Sequence, residues 1–196
     1  MRAQWSRRRA LEAGLAVPAT GFLAAPSVAA DPAPDLGPAE PFSFERLIVQ
    51  AKDLAQKAYQ RRPAAAQWLS DLSVEQYRGI RYRVDHAVPL GGSAFSLQLY
   101  HLGSYHRYPV RVYLVEEGTA REVLYSPSLF DFGSIDAPGD LPPDTGFAGF
   151  RVHYQFEDSG APQELLTFLG ASYFRAVARN TRFGISARGL ALETGL

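Results

Sequence analysis

The chain has 196 residues, enough for one sizeable domain, and its 46% hydrophobic and 12% aromatic content points to a packed globule rather than disorder. Its formal net charge is zero, so composition gives no support to nucleic-acid binding. Cysteine is absent, which excludes disulfides, thiolate catalysis and cysteine-ligated metals.

The charge balance hides an asymmetry. Residues 1–30 hold Arg2, Arg7, Arg8 and Arg9 against one acid, Glu12, and taking them away leaves 16 basic and 19 acidic residues. Those arginines form a positive start, Ala10–Leu23 is mildly apolar, and Val28-Ala29-Ala30 supplies small residues for cleavage. Ser6–Leu11 resembles the twin-arginine export motif, although Ala10 stands where Phe is usual and Glu12 where Lys is usual. The general secretory route is the alternative. Cleavage is expected after Ala30, with the mature chain in the periplasm. The apolar run is too short for a membrane span and is interrupted by Pro18.

Asp31–Pro41 carries four prolines in eleven residues and reads as an extended linker. Ser43 is an N-cap for a helix over 44–60, where Phe44, Leu47, Ile48, Ala51, Leu54, Ala55 and Ala58 form one apolar stripe. The stretch Ser73-Val74-Glu75-Gln76 has the form of a capping box opening a short helical turn.

From there the period changes to two. Alternating runs at 80–85, 95–100, 110–114 and 150–156, with a shorter run at 122–125, predict antiparallel strands with one buried and one wet face. Gly91-Gly92, Glu117-Gly118, Pro138-Gly139 and Ser159-Gly160 mark turns. Strand Phe150–Phe156 presents Arg151, His153 and Gln155 on its polar face, a face able to line a cleft or simply meet solvent. The fold class expected is mainly β, an antiparallel β-sandwich introduced by one N-terminal helix.

Glu164–Glu193 organises the rest. Two runs with strand character, Leu165–Leu169 and Arg182–Leu192, flank a short turn rich in Tyr, Phe and Arg within Ala171–Ala178. Aromatic rings beside guanidinium forks suit a polyhydroxylated ligand: the ring covers an apolar sugar face and the fork bonds hydroxyls or acids. The competing reading makes the aromatics core and pairs the arginines with domain acids. The sugar-contact candidates are Tyr105, Asp131, Tyr173, Arg175 and Arg188. Other loop acids, Asp136, Asp140, Asp144, Glu157 and Asp158, read mainly as solvated turn residues. The histidine spacing matches no metal motif, and no phosphate-binding glycine loop or nucleophile elbow occurs, so no metal or cofactor is expected.

Seven runs carry a resemblance: FSFERLIVQAKDLA (42–55), YRGIRYR (77–83), FSLQLYHLG (95–103), YPVRVYLVE (108–116), PSLFDFG (127–133), PPDTGFAGFRVHY (142–154) and LTFLGASYFRAVARNTRFGISARGLALETG (166–195). In this order they resemble the periplasmic glucan biosynthesis proteins G and D of Gram-negative bacteria, and the twin-arginine-like start points to the D type. The resemblance implies a galactose-mutarotase-like β-sandwich followed by a smaller immunoglobulin-like domain, and a β-glucan ligand with a β-1,2-linked backbone. It also implies glycoside hydrolase-like action in some members. By the family's length, residues 42–196 are expected to be the N-terminal part of the sandwich domain in a truncated chain, with the catalytic acids outside it. Three readings stay open: a glucan-remodelling protein, a non-catalytic scaffold escorting nascent glucan from the inner-membrane synthase, and an inactive fragment.

Overall fold

The structure is a computed structural model that describes residues 33–60, 64–91, 94–136, 141–142, 144–156, 161–170, 172–178, 181 and 186–188. The expected signal peptide lies outside these residues, as do Asp140, Glu157, Asp158 and most of the strand expected over 182–192.

The described chain is mainly β and antiparallel. In order it forms β1 (Glu40–Pro41), α1 (Phe44–Ala55), α2 (Gln67–Ser70), α3 (Val74–Gly79), β2 (Arg81–Tyr82), β3 (Val88–Leu90), β4 (Phe95–His101) and β5 (Tyr113–Glu116). There follow β6 (Thr119–Glu122), β7 (Phe130–Asp131), β8 (Phe147–Tyr154), β9 (Gln163–Leu169), β10 (Tyr173–Ala176) and β11 (Ala187–Arg188). The largest sheet has the order β11-β10-β9-β8-β4-β3; a second has the order β1-β6-β5, and β2 pairs with β7. The proline-rich segment is extended and runs along the second sheet: Leu36 bridges Val123, and Glu40 and Pro41 pair with Ala120 and Thr119.

The sheets meet over one main core. Leu97 and Leu99 of β4 and Phe147 of β8 pack with Tyr82, Val112, Val123, Tyr125, Leu129 and Phe130. This is the sandwich arrangement expected of two half-buried sheets. A smaller cluster of Leu69, Leu72, Leu102 and Ala148 packs with Tyr100 and Leu169 under α2. Local chemistry explains several joints. Glu117 (φ 47°) and Gly118 (φ 74°) are both left-handed, as a two-residue hairpin between β5 and β6 requires. The capping box forms as expected: Ser73 Oγ accepts from Gln76 N–H, and Gln76 Oε1 accepts from Ser73 N–H.

Several element boundaries are corrected. Helix α1 ends at Ala55, with Gln56 as its C-cap, rather than at residue 60. The strand expected over 80–85 shrinks to Arg81–Tyr82 because Val84–His86 coil into a 3-10 turn, which Tyr82 closes by donating its hydroxyl to the His86 carbonyl at 2.9 Å. The run 110–114 becomes strand only from Tyr113: Val110 bonds Phe147 in the large sheet and Val112 bonds Val123 beside the second, so the segment is a crossover between sheets. The run expected over 122–125 pairs mostly as Thr119–Glu122. The aromatic turn after Leu169 is strand β10.

Helix α1 has the apolar stripe read from the sequence, yet no residue of it is buried, and Phe44 and Leu54 are about two-thirds exposed. A 12-residue helix is marginal in water without a packed face, and an open apolar stripe favours association. Light scattering on the 196-residue chain should therefore show mass rising with concentration. Leu47→Glu combined with Leu54→Lys should abolish the rise and change folding stability by less than about 0.5 kcal/mol, because neither side chain is buried. Association undiminished in the double variant would assign it to another surface.

Candidate functional site

Alternation along β4 sends Leu97 and Leu99 into the main core and turns Ser96, Gln98 and Tyr100 to the opposite face of the sheet. Register then builds rows across the strands. One row reads Gln98, Arg151, Thr167, Arg175; the next reads Tyr100, Gly149, Leu169, Tyr173, Arg188. A third pairs Ser96 with His153 and His153 with Glu164. Two irregularities create this face. The register shifts between Tyr100 and His101 opposite β8, and again between Val152 and His153, where β9 has one extra residue, Leu165. Such bulges re-aim side chains, and the second brings Glu164 onto the same face as Thr167.

The side chains form one hydrogen-bonded group. Arg151 donates to Gln98 Oε1 from Nε at 3.1 Å and from Nη2 at 2.7 Å. Arg175 Nη2 donates to Glu164 Oε1 at 2.8 Å, and Thr167 Oγ1 donates a short bond to the same oxygen. The other carboxylate oxygen lies 3.8 Å from Arg151 Nη1 and 3.5 Å from the Tyr100 hydroxyl, while the Arg151 guanidinium sits over the Tyr100 ring at 5.5 Å. Thr167 is fully buried and Gln98 nearly so.

Burial opposes ionisation of Glu164, but the Thr167 hydroxyl and the Arg175 and Arg151 guanidinium groups outweigh it and hold the carboxyl below its usual range. Burial raises the Tyr100 hydroxyl, so it stays protonated and able to donate. Burial and Arg151 together lower His153, which leaves a neutral imidazole. Its Nδ1 is shielded from solvent and has no hydrogen-bond partner among the described residues.

This chemistry suits binding better than bond cleavage. Glycoside hydrolysis needs two carboxyl groups, one of them protonated to serve as acid. Glu164 is ionised, and among the described residues it is the one carboxylate in the group. It can accept hydroxyl protons; the arginines, Tyr100 and Thr167 can donate or bridge. No cluster of three or more metal-ligating side chains occurs among the described residues.

The residues named from the sequence fall in different places. Arg175 is inside the group, ion-paired with Glu164 as the competing reading held. Tyr173 is two positions earlier on the same strand, its hydroxyl 2.9 Å from Ser186 Oγ. Arg188 pairs with Tyr173 across the β10–β11 ladder. Tyr105 stands exposed at the tip of the turn that joins Gly103 to His106. Asp131 is exposed and accepts from Gly133 N–H at 2.9 Å, an Asx turn. Sequence reasoning flagged Arg151 and His153 but missed Gln98, Tyr100, Glu164 and Thr167. The available signal was the polar phase of β4 and β9.

Residues 42–196 match the family model of Periplasmic glucan biosynthesis protein, MdoG. The chain is 44% identical over 163 residues to Glucans biosynthesis protein D of Xylella fastidiosa (strain M12). It is 40% identical over the same length to proteins of that name from Xanthomonas campestris pv. campestris (strain B100) and Xanthomonas axonopodis pv. citri (strain 306). Each alignment covers 82% of this chain and 30% of the relative, so the chain spans about a third of the length of the curated relatives it matches. With the family match running unbroken from Phe42 to Leu196, through every strand that builds the polar face, the chain belongs to the periplasmic glucan biosynthesis (MdoG) family.

Proposed function

We propose that the polar face of the large sheet binds a β-glucan with a β-1,2-linked backbone during the synthesis of periplasmic glucans. The observation that carries this is the connected group Gln98, Tyr100, Arg151, Glu164, Thr167 and Arg175, which spans four adjacent strands. It sets charged donors and a carboxylate acceptor beside aromatic rings on a rigid sheet, the arrangement that polyhydroxylated chains require. Tyr173 extends the face along the second row, and Arg188 is opposite it in register. Tyr105 and Asp131 are the further sugar contacts of this reading.

The lowered Glu164 favours a binding and guiding role for this part of the fold. Remodelling by hydrolysis needs acids beyond the group. In this reading residues 1–30 are a twin-arginine-type signal cleaved near Ala30, 31–41 join it to the domain, and 42–196 are the N-terminal part of the glucan-handling sandwich. The inner-membrane glucan synthase is the partner that would supply the ligand.

Titration calorimetry with a purified β-1,2-linked glucooligosaccharide tests the reading. The chain should bind it and ignore a β-1,4-linked oligosaccharide of equal length. Arg151→Gln should weaken binding about tenfold, as the loss of one charge-assisted hydrogen bond implies, with the folded signal in circular dichroism retained. Equal affinity in Arg151→Gln and the parent would remove the polar face from consideration.

A further inference from the structure

Beside the polar face lies a cavity of about 450 Å³, between α3, β2 and β4. It shares Tyr100 and Arg151 with the polar group and adds Tyr77, Arg78 and Arg81. Its lining includes three arginines and no aspartate or glutamate. Arg151 is already engaged by Gln98 and Glu164. Arg78 and Arg81 make no side-chain hydrogen bond or ion pair with any described residue, although each is an exposed side chain at the cavity.

No carboxylate among the described residues forms an ion pair with either cation. Asp131 is opposite Arg81 in the β2–β7 ladder, but its Oδ1 is turned to Gly133 N–H, and it is not among the lining residues. Glu164 is held by Arg175 and Thr167. His101, which also lines the cavity, is held neutral by burial with its pKa lowered to about 4. The Tyr77 hydroxyl, raised by burial to about 12, donates to the His101 carbonyl at 3.0 Å and adds no negative charge. A cavity lined by two guanidinium groups outside any ion pair, with aromatic walls, has the chemistry of an oxyanion site.

We propose that this cavity receives an anionic group, a phosphate or carboxylate, carried by a sugar unit of the chain bound on the adjoining polar face. Tyr100 and Arg151 are the join: one side of the pair serves the neutral sugar and the other opens on Arg78 and Arg81. The proposal rests on the glucan reading above and gives it a preference for acidic over neutral saccharide.

The test uses the 196-residue chain and three probes: a neutral β-1,2-linked glucooligosaccharide, the same oligosaccharide oxidised at its primary hydroxyls to carboxylates, and inorganic phosphate. At low salt the carboxylated probe should bind about tenfold more tightly than the neutral one, and added sodium chloride should erase the difference. The double variant Arg78→Gln, Arg81→Gln should bring the two affinities together while leaving the neutral one unchanged. Binding of the neutral probe with no gain on carboxylation would overturn the anion pocket and leave the glucan face standing. If neither oligosaccharide binds, the glucan reading itself fails. Phosphate binding that the double variant removes, with no preference for the carboxylated sugar, would make the cavity a site for a free oxyanion and overturn the saccharide form.

Discussion

Replacing Gly149 with alanine should unfold the protein or cost it about 4 kcal/mol, the range that steric strain in a packed core reaches. Gly149 is in the bulged part of β8 with φ 153°, a conformation that side chains rarely adopt. A Cβ there would stand 2.1 Å from the Phe168 carbonyl oxygen and 3.0 Å from the Leu169 Cα, both on the neighbouring strand β9. Backbone cannot step aside as a side-chain tip can, so the β8–β9 ladder would have to open. That ladder holds Arg151 beside Thr167, and Gly149 also faces Tyr100 across the β4–β8 ladder, so the polar group should come apart along with stability. Gly170→Ala is the matched control. It also has positive φ, 61°, but a Cβ there meets nothing within 4 Å, and it should cost only about 1 kcal/mol. Equal losses in urea unfolding of the two variants would show that backbone conformation, not the clash, sets the cost.

Acid should weaken the fold well before its carboxylates protonate, and His101 should be the main reason. Its ring is buried among Tyr125, Phe130 and Phe132. Nδ1 lies 2.6 Å from the Leu102 carbonyl, which can only accept, so Nδ1 carries the proton. Nε2 then accepts from the Tyr125 hydroxyl at 2.8 Å. A second proton on Nε2 would force the Tyr125 hydroxyl to turn from donor to acceptor and would place a cation in the core, with no carboxylate bonded to the ring among the described residues. Burial lowers the pKa from 6.5 to about 4 and outweighs the opposing hydrogen bond to the Leu102 carbonyl.

The sign follows from proton linkage. The unfolded chain takes up the proton as pH falls below 6.5, whereas the folded chain resists until about 4. Stability is therefore complete above the unfolded value and falls across that window by about 3 kcal/mol. His106 and His153 are lowered by burial too and act in the same direction. Glu164 adds its loss only at lower pH, as the carboxylate is titrated. Urea unfolding at a series of pH values should show the slope, and His101→Gln, which keeps a side-chain partner for Tyr125, should remove most of it. A variant as acid-sensitive as the parent would assign the slope elsewhere.

Local features of the fold are legible in the order of residues alone. The period of two along Phe95–Tyr100 and through Phe150–Tyr154 marks β4 and β8, two adjacent strands of the large sheet, because alternation records a half-buried face residue by residue. Ser43 and Ser73 cap helices as their spacing requires. The two-residue strands β1, β2 and β7 and the four-residue α2 leave no such record. They exist because a partner strand or packed neighbour completes them, and a run that short has no period to read.

The candidate site is legible only in parts. Arg175 can be named because an arginine among aromatics stands out locally, and Arg151 because it falls on the polar phase of its strand. Glu164 cannot be joined to either. Its partners come from β8 and β10, and a single extra residue in β9 decides which face its carboxylate reaches. The sequence by itself determined the mainly β character, the capped helices and the family, since each is written in neighbouring residues or in motifs kept in order. Only the tertiary structure decided that Gln98, Tyr100, Arg151, Glu164, Thr167 and Arg175 form one group, because strand order and register are non-local and are settled by packing across the whole sheet.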